Sequence, residues 1–416
     1  MCRNSKYFLT IKIKYVYDRK DYESMRYLLT ALNKKRSQSS NAVTSMVKFA
    51  LNEAYQNLNE DEKLKLLKTL IEITEGRIFV EYEYSVAIQR LTVIHLSRGD
   101  IEEAAKCIQD IQIETFGSLE RAYKVDYILF QMRILLRKED YIRVLIVSNK
   151  ITRKHLNEEG LERLKYEFYS LMIKYYSHEE RFIDASKSYK TLFDFVKEIE
   201  IKMESNSANS ISETSLKNMR EILSRNMKRN LFENYILFLS ICPPELETKK
   251  MFNELNMFYK KDLEENSEIN EVVKKRLSDD IVFIDASFLE KYLKFSIFKK
   301  DSENPNAEKH WNLFRKFWIQ HNIVIFEKYF SQMSIQKISN MTGIQVKEVE
   351  SEISDMVINN YIYAKINRIA STVNFRKRQD TGDKLNDLNS DLIRMLEKLE
   401  TTCHLIHKEN LKYDIK

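Results

Sequence analysis

A repeat of 39 to 41 residues, found between residues 84 and 189, restricts the fold of this 416-residue chain more than any other feature. Apolar residues with a 4-3-4 spacing begin at Tyr84, and the same spacing returns twice. Shorter apolar runs between them begin at Ile101, Tyr141 and Phe182. Spacings of three and four residues indicate amphipathic helices, and helix pairs repeated at a fixed interval indicate hairpins stacked in a solenoid. Unrelated helices of similar length are the alternative, but they do not explain why both helices of each pair keep their phase.

The composition agrees with a nearly all-helical protein. Six Gly and three Pro residues are well below the average usage of roughly 7% and 5%, so the usual signals for turns and strands are scarce. Charged residues make up 31% of the chain, enough to cover many exposed helix faces. The length exceeds that of one ordinary hydrophobic core, so we expect two or more units.

The segment from Trp311 to Phe375 departs from this helical pattern. Three helical runs are followed by two short runs of alternating apolar and polar residues, Tyr361–Ile366 and Thr372–Phe375. Such alternation across a short connection indicates a β-hairpin, and three helices followed by a hairpin is the order of a winged-helix domain. The sequence therefore predicts an all-α solenoid of helical hairpins (TPR-like), followed by a small α/β winged helix and a C-terminal helix.

The predicted hairpin offers a strand edge, and the unpaired peptide groups of an edge are a template for another chain. We expect this winged-helix edge to bind a partner; the alternative is that the edge is covered internally and the hairpin only completes the core. The residues assigned to the edge interface are Tyr361, Ile362, Ala364, Ile366, Thr372, Asn374 and Phe375.

The clearest heptad pattern of the chain follows, beyond a charged linker. Its alternating spacing of three and four residues predicts a helix with a narrow apolar seam. A seam of this kind suits a helix bundle, and we expect a partner, rather than the chain itself, to cover it. The residues assigned to this bundle interface are Leu385, Leu388, Leu392, Met395, Leu399 and Ile406.

These patterns divide the chain into four parts. We expect N-terminal helices at 1–75 and a helical-repeat solenoid at 76–300, with a Ser- and Asn-rich mobile loop at about 203–215. The winged helix is expected at 301–378, where it forms one module with the preceding helices. The C-terminal bundle helix is expected at 383–411.

The sequence favours a soluble intracellular protein without catalytic, cofactor or metal sites. Its four cysteines are far apart and form no CxxC pair, which fits a reducing compartment. No run of eighteen apolar residues exists, so we expect no membrane span. The motifs of common hydrolases and nucleotide-binding enzymes are missing. Cys403, His404 and His407 could share part of a helix face as zinc ligands, but no fourth ligand is near in sequence and bundle packing is favoured.

A nucleic-acid-binding winged helix is the alternative from a different functional class. Such domains present Lys, Arg, Asn or Gln from the third helix to the nucleic acid. Here the segment from Gln345 to Asp355 carries one Lys, three Glu and one Asp, a local charge of −3. Because phosphate binding depends on cations and counterion release, we expect no nucleic acid as a partner.

Several local sequences resemble the PCI-domain family, whose members are scaffolds of the proteasome lid, the signalosome and a translation initiation complex. The resemblance extends over about residues 60 to 411, and its motifs are specific in combination. They include Gly99-Asp100-Ile101-Glu102-Glu103-Ala104-Ala105, Glu114-Thr115-Phe116-Gly117-Ser118, Ala364-Lys365-Ile366-Asn367-Arg368 and Thr402-Cys403-His404-Leu405-Ile406.

The resemblance is strongest to a subunit of the proteasome lid and implies a non-catalytic scaffold in the cytoplasm and nucleus. The implied partners are other PCI-type lid subunits, the lid deubiquitinase with its pseudo-enzyme partner, and the proteolytic core particle. The winged helix would pair edge to edge with those of neighbouring subunits, and the last helix would join a common bundle. The protein would not be a homo-oligomer. A PCI subunit of the signalosome or of a translation initiation complex remains the alternative within the family.

Overall fold

The computed structural model describes residues 11–34, 40–158, 160–204, 228–284, 290–299, 306–375 and 381–412. It divides into two compact units, Met1–Leu239 and Ser240–Lys416. The described residues are mainly helical, with one three-stranded sheet in the second unit. Stacked helical hairpins followed by a winged helix and a long terminal helix confirm the predicted fold class. The division into four parts stays a prediction.

The helices between residues 60 and 204 each pack on their neighbours in sequence, whereas the helix Tyr22–Lys34 packs on the helix Glu60–Thr74. Residues 11–18 are also helical. The helices are α1 (Tyr22–Lys34), α2 (Ser40–Phe49), α3 (Glu60–Thr74), α4 (Glu81–Ser97), α5 (Ile101–Gln109), α6 (Arg121–Arg137), α7 (Tyr141–Ser148), α8 (Glu162–His178), α9 (Phe182–Glu204) and α10 (Lys228–Ser240), whose last residue begins the second unit.

Three pairs of these helices, α4–α5, α6–α7 and α8–α9, are the predicted repeat. In each pair the turn contains one residue with positive φ: Gly99 at 85°, Glu139 at 64° and Glu180 at 58°. The next amide donates to a carbonyl five residues earlier, as from Asp140 to Leu135 at 3.0 Å, which is the Schellman pattern of helix ends. The turns therefore repeat at 40 and 41 residues. The predicted offsets of 41 and 39 residues between the first helices are wrong by one and two residues.

The repeat stacks closely because small residues occupy the contacts between helices. Ala104, Ala105 and Ala185 are fully buried, as expected for helices that approach each other at short distance. Between the first two hairpins, the side-chain amide of Gln131 donates to the carbonyl oxygens of Ile108 at 2.8 Å and Ile111 at 3.2 Å. This amide satisfies carbonyl groups around the end of α5 that have no partner within the helix.

The second unit begins at Ser240, and the Cys242-Pro243-Pro244 segment follows the end of α10, as the missing amide of proline predicts. Its elements are α11 (Leu246–Phe258), α12 (Lys260–Glu265), α13 (Ser267–Leu277), α14 (Ala307–Tyr329), β1 (Gln332–Ser334), α15 (Ile335–Thr342), α16 (Val346–Ile358), β2 (Lys365–Asn367), β3 (Thr372–Asn374) and α17 (Thr381–Lys412). The loop predicted at about 203–215 lies, from residue 205 onward, outside the described residues.

The winged helix is built around α14, whose Phe314, Trp318 and Phe326 are fully buried. The structure adds a strand that the sequence did not predict. The predicted hairpin is present as β2 and β3. β1 makes the sheet three-stranded and precedes the second helix of the segment, which begins at Ile335. Three residues are too few to show a strand periodicity in the sequence.

Candidate assembly surfaces

The strand order β1-β3-β2 decides which part of the winged helix can receive another chain. β3 is antiparallel to both neighbours and lies in the centre of the sheet. Its peptide groups are used on both sides, so the prediction that Thr372, Asn374 and Phe375 form a free edge is wrong. Their contact with a partner through side chains stays a prediction.

β2 forms one edge of the sheet, and the pairing of β3 shows which of its peptide groups are free. Ser371 accepts from Ile335 at 2.9 Å, and Phe375 donates to Ser331 at 3.0 Å. Because alternate residues of a strand point their peptide groups to the same side, residues 371, 373 and 375 face β1. Residues 372 and 374 therefore face β2, where they pair with 367 and 365. It follows that the N–H and C=O groups of Ile366 point away from β3, towards the open edge.

The other residues assigned to this edge have different surroundings. Ile362 and Ala364 are buried and precede β2, so they belong to the core of the winged helix. Tyr361 is half-buried, and burial raises the pKa of its hydroxyl next to Glu245. Only Ile366 has both a place in the edge strand and an outward peptide group.

The connection between β2 and β3 presents a residue that the sequence analysis did not assign to any surface. Ile369 is fully exposed at its tip, and the nearby Ser371 has a φ of 49°. An apolar residue among polar ones in a short hairpin connection was the available signal. Ile369 therefore adds an exposed apolar side chain next to the open edge.

α17 leaves its entire apolar seam exposed. All of its side chains that the structure describes are exposed, and the six residues assigned to the bundle interface have exposed fractions of 50 to 63%. Arg394 and Asp391, 4.0 Å apart, lie off the seam. Most helical stability in proteins comes from packing of an apolar face, so this seam has the composition of an interface and is uncovered in the single chain.

The apolar face of α17 is wider than the predicted seam. Ile393, Leu396 and Leu405 are also exposed and adjoin it. They lie outside the strict spacing of three and four residues, although each is adjacent in sequence to a seam residue. A face of this width fits contact with more than one helix.

Cys403, His404 and His407, for which bundle packing was predicted in preference to zinc binding, lie on the same exposed helix. In the part of the chain that the structure describes, no group of three or more His, Cys, Asp or Glu side chains is arranged to hold a metal ion. No described helix is long and apolar enough to cross a membrane.

The acidic side chains of α16 are engaged within the winged helix. Arg315 contacts Glu348 at 3.0 Å, and Lys316 contacts Asp355 at 2.8 Å and Glu352 at 3.3 Å. Burial raises the pKa of Glu352, a trend that the charge of Lys316 opposes. Two of the cations nearest this helix are therefore already paired with carboxylates, which leaves them poorly suited to bind phosphates.

Comparisons with known proteins cover almost the whole chain. Residues 2–200 match the family described as PSMD12/CSN4, N-terminal, and residues 287–377 match the PCI domain. The 26S proteasome non-ATPase regulatory subunit 12 of Dictyostelium discoideum is 28% identical over 405 residues, which are 97% of this chain and 84% of the relative. Homolog A of that subunit from Arabidopsis thaliana is 27% identical, over 95% of this chain and 89% of its own length.

A third relative, the 26S proteasome regulatory subunit RPN5 of Saccharomyces cerevisiae, is 25% identical over 99% of this chain and 87% of its own length. The matched domains follow the same order as the stacked hairpins and the winged helix of the structure. The chain belongs to the family of PCI-domain proteins that includes these 26S proteasome regulatory subunits.

Proposed function

We propose that this chain is a non-catalytic scaffold subunit of the proteasome regulatory-particle lid, which supports ubiquitin-dependent degradation in the cytoplasm and nucleus. The single observation that carries the proposal is the apolar seam of α17, exposed along its length in a chain whose relatives are proteasome regulatory subunits. An apolar face of this size is typical of a protein interface. The proposed partners of the seam are the terminal helices of other lid subunits.

The edge strand β2 supplies a second proposed contact, through which the winged helices of neighbouring PCI-type subunits pair. Support comes from the outward peptide group of Ile366 and from the exposed tip residue Ile369. Main-chain hydrogen bonds along an edge strand are a common mode of recognition. The further partners are the lid deubiquitinase, its pseudo-enzyme partner and the core particle, which the resemblance alone implies.

Two experiments test the function. The tagged chain is purified from cells of its own organism, and its partners are identified by mass spectrometry. Proteasome lid subunits are expected in the eluate. Signalosome or initiation-complex subunits in their place would contradict the lid assignment and leave the fold unchanged.

The edge contact is tested with Ile366→Pro, which removes one outward amide and spares the hydrogen bonds between β2 and β3. We expect the variant to remain folded and to co-purify less with winged-helix partners. Ile366→Val is the control, since it shortens the same side chain and keeps the amide. Equal recovery of partners with both variants would show that edge pairing does not contribute.

A further inference from the structure

A buried amide side chain holds the segment between α13 and the winged helix. Asn322, fully buried on α14, accepts from the amide of Val282 at 2.9 Å and donates to its carbonyl at 2.7 Å. One side chain thus replaces both hydrogen bonds that a neighbouring strand would make with this residue. We name residues 279–284, which contain Val282, the strap.

The strap contacts two helices of the winged helix. The amide of Ile284 donates to the carbonyl of Thr342 at 3.1 Å, at the end of α15. At the other end of the strap, Asp279 pairs with Lys328 and accepts from the hydroxyl of Tyr329 at 3.4 Å. The strap is therefore attached to α14 at Asp279 and Val282 and to α15 at Ile284.

Burial alternates along the strap as it does along a half-buried strand. Val282 and Ile284 are buried, whereas Ile281 and Phe283 are exposed. A buried peptide group without a hydrogen bond is costly, so Asn322 is needed for Val282 to lie in the core. Asn322 follows two other buried polar residues of α14, Gln320 and His321, and the next residue, Ile323, is buried and apolar.

The strap continues directly from α13, whose last turn is also attached to α14. The guanidinium carbon of Arg276 lies 3.7 Å from the ring centre of Phe317 on α14 and 5.9 Å from that of Phe252 on α11. This stacking fixes one point of contact between the helices α11 and α13 and the winged helix. The contact of His321 on α14 with the backbone of Lys275 on α13 is another, and the strap adds further points.

We propose that Asn322 is a positioning residue that closes the strap and thereby fixes the orientation of the winged helix relative to helices α11 to α13. Without the clamp, the strap loses its central attachment, and the remaining contacts, among them those at Arg276 and Asp279, hold the winged helix less firmly in one orientation. The edge strand β2 is then presented in a range of directions instead of one. This last consequence for assembly rests on the proposed function; the clamp itself does not.

The clamp is tested by hydrogen exchange in the full chain, read from peptides that cover the strap. In Asn322→Ala, we expect strap amides to exchange about tenfold faster or more, because their protection depends on this local closure. Peptides from β3 should keep their protection. Unchanged exchange in the strap would overturn the proposal.

Orientation is tested by pulsed electron resonance between spin labels at exposed Lys274 on α13 and Lys347 on α16, in a cysteine-free background. Asn322→Ala should broaden the distance distribution. The control is Ile319→Ala, which creates a cavity in the same helix and keeps both hydrogen bonds to Val282. A distribution as narrow as in the parent protein, or equal broadening in the control, would overturn the positioning role.

Recovery of lid subunits then separates the two proposals. If the parent chain recovers lid subunits and Asn322→Ala recovers fewer, the strap also serves assembly. If both recover them equally while the strap is loosened, the consequence for assembly is wrong. If the parent chain recovers no lid subunits, the proposed function is wrong, and the exchange and distance measurements still decide the role of Asn322.

Discussion

Arg276 stacks its guanidinium group on the ring of Phe317, with 3.7 Å between the guanidinium carbon and the ring centre. One helical turn further along α14, the imidazole of His321 is buried, and one of its nitrogens has no hydrogen-bond partner among the residues that the structure describes. Burial, reinforced by the charge of Arg276, lowers the pKa of His321 to about 3. Burial also lowers the pKa of Arg276 to about 9, because removal of its charge from water is costly.

The first prediction concerns stability in mild acid. Since the folded state keeps His321 neutral, only the unfolded state binds a proton on it as the pH falls below about 6.5, so stability declines from there towards pH 3. The expected loss from this group is about 2 kcal/mol at pH 5 relative to pH 7. Two smaller effects contribute to the same pKa: the charge of Asp279 raises it, and the charge of Lys249 lowers it.

Denaturant unfolding at pH 7 and pH 5 measures this loss. His321→Gln keeps a polar side chain of similar length and cannot titrate, so it should lose less stability over the same interval than the parent protein. An equal loss in the variant would mean that other groups carry the acid sensitivity.

The second prediction concerns Gly343, which ends α15 with a φ of 75°. A Cβ atom at this position would lie 3.1 Å from the ring of Phe283 in the strap. Gly343→Ala should lower the free energy of unfolding by about 1–2 kcal/mol, chiefly because L residues are strained in the left-handed region. Adding Phe283→Ala should restore only the part due to the contact.

Gly117 provides the control for that substitution. No atom of the described residues lies within 4 Å of a Cβ built there, and its φ is not positive. Gly117→Ala should therefore change the stability by less than about 0.5 kcal/mol. A loss as large as for Gly343→Ala would contradict the explanation by backbone conformation.

The third prediction uses the turns of the helical repeat. Glu139 and Glu180 occupy the left-handed position that Gly99 occupies in the first hairpin. Replacing either exposed glutamate by Gly should raise the free energy of unfolding by about 0.5–1 kcal/mol, since relief of left-handed strain exceeds the entropy that Gly loses. Glu179→Gly is the control. Glu179 has a φ of −76°, so its replacement by Gly should lower the free energy of unfolding instead.

The helices of the repeat could be predicted from the sequence, but the conformation of the turns between them could not. Paired helices are visible because burial imposes a 3.6-residue period on every helix, so the hairpins and the apolar seam of α17 were predictable. Nothing in Glu139 or Glu180 signals a left-handed turn, because tertiary packing imposes that conformation against their preference. The offsets between the first helices of the repeat depend on these turns. The predicted offsets were therefore wrong by one and two residues.

The strand order at the candidate assembly surface could not be predicted, for a related reason. β1 has three residues, too few for a period, and without it β3 looks like an edge strand. Strand order is a tertiary property that no local pattern contains. The clamp by Asn322 could not be predicted either, since a polar residue within a buried helix implies a hydrogen bond without identifying its partner.

The last prediction concerns the seam of α17. Leu392 and Leu399 are about half exposed in the single chain, so replacing both by Asp should leave its thermal unfolding little changed. In a bundle the same two side chains would be buried, and two unpaired carboxylates would each cost several kcal/mol. We therefore expect the double variant to fold normally and to be lost from complexes with lid subunits, measured by co-elution on size exclusion.

Ser390→Asp combined with His404→Asp is the matched control. It adds two carboxylates to the same helix at exposed positions five residues after seam residues Leu385 and Leu399, on the side of the helix away from the seam. This variant should co-elute with the partners as the parent chain does. Normal co-elution of the Leu392 and Leu399 variant would show that the seam is not an assembly surface. A large loss of thermal stability in the single chain would show instead that α17 packs on its own protein, because only a buried seam is sensitive to charge.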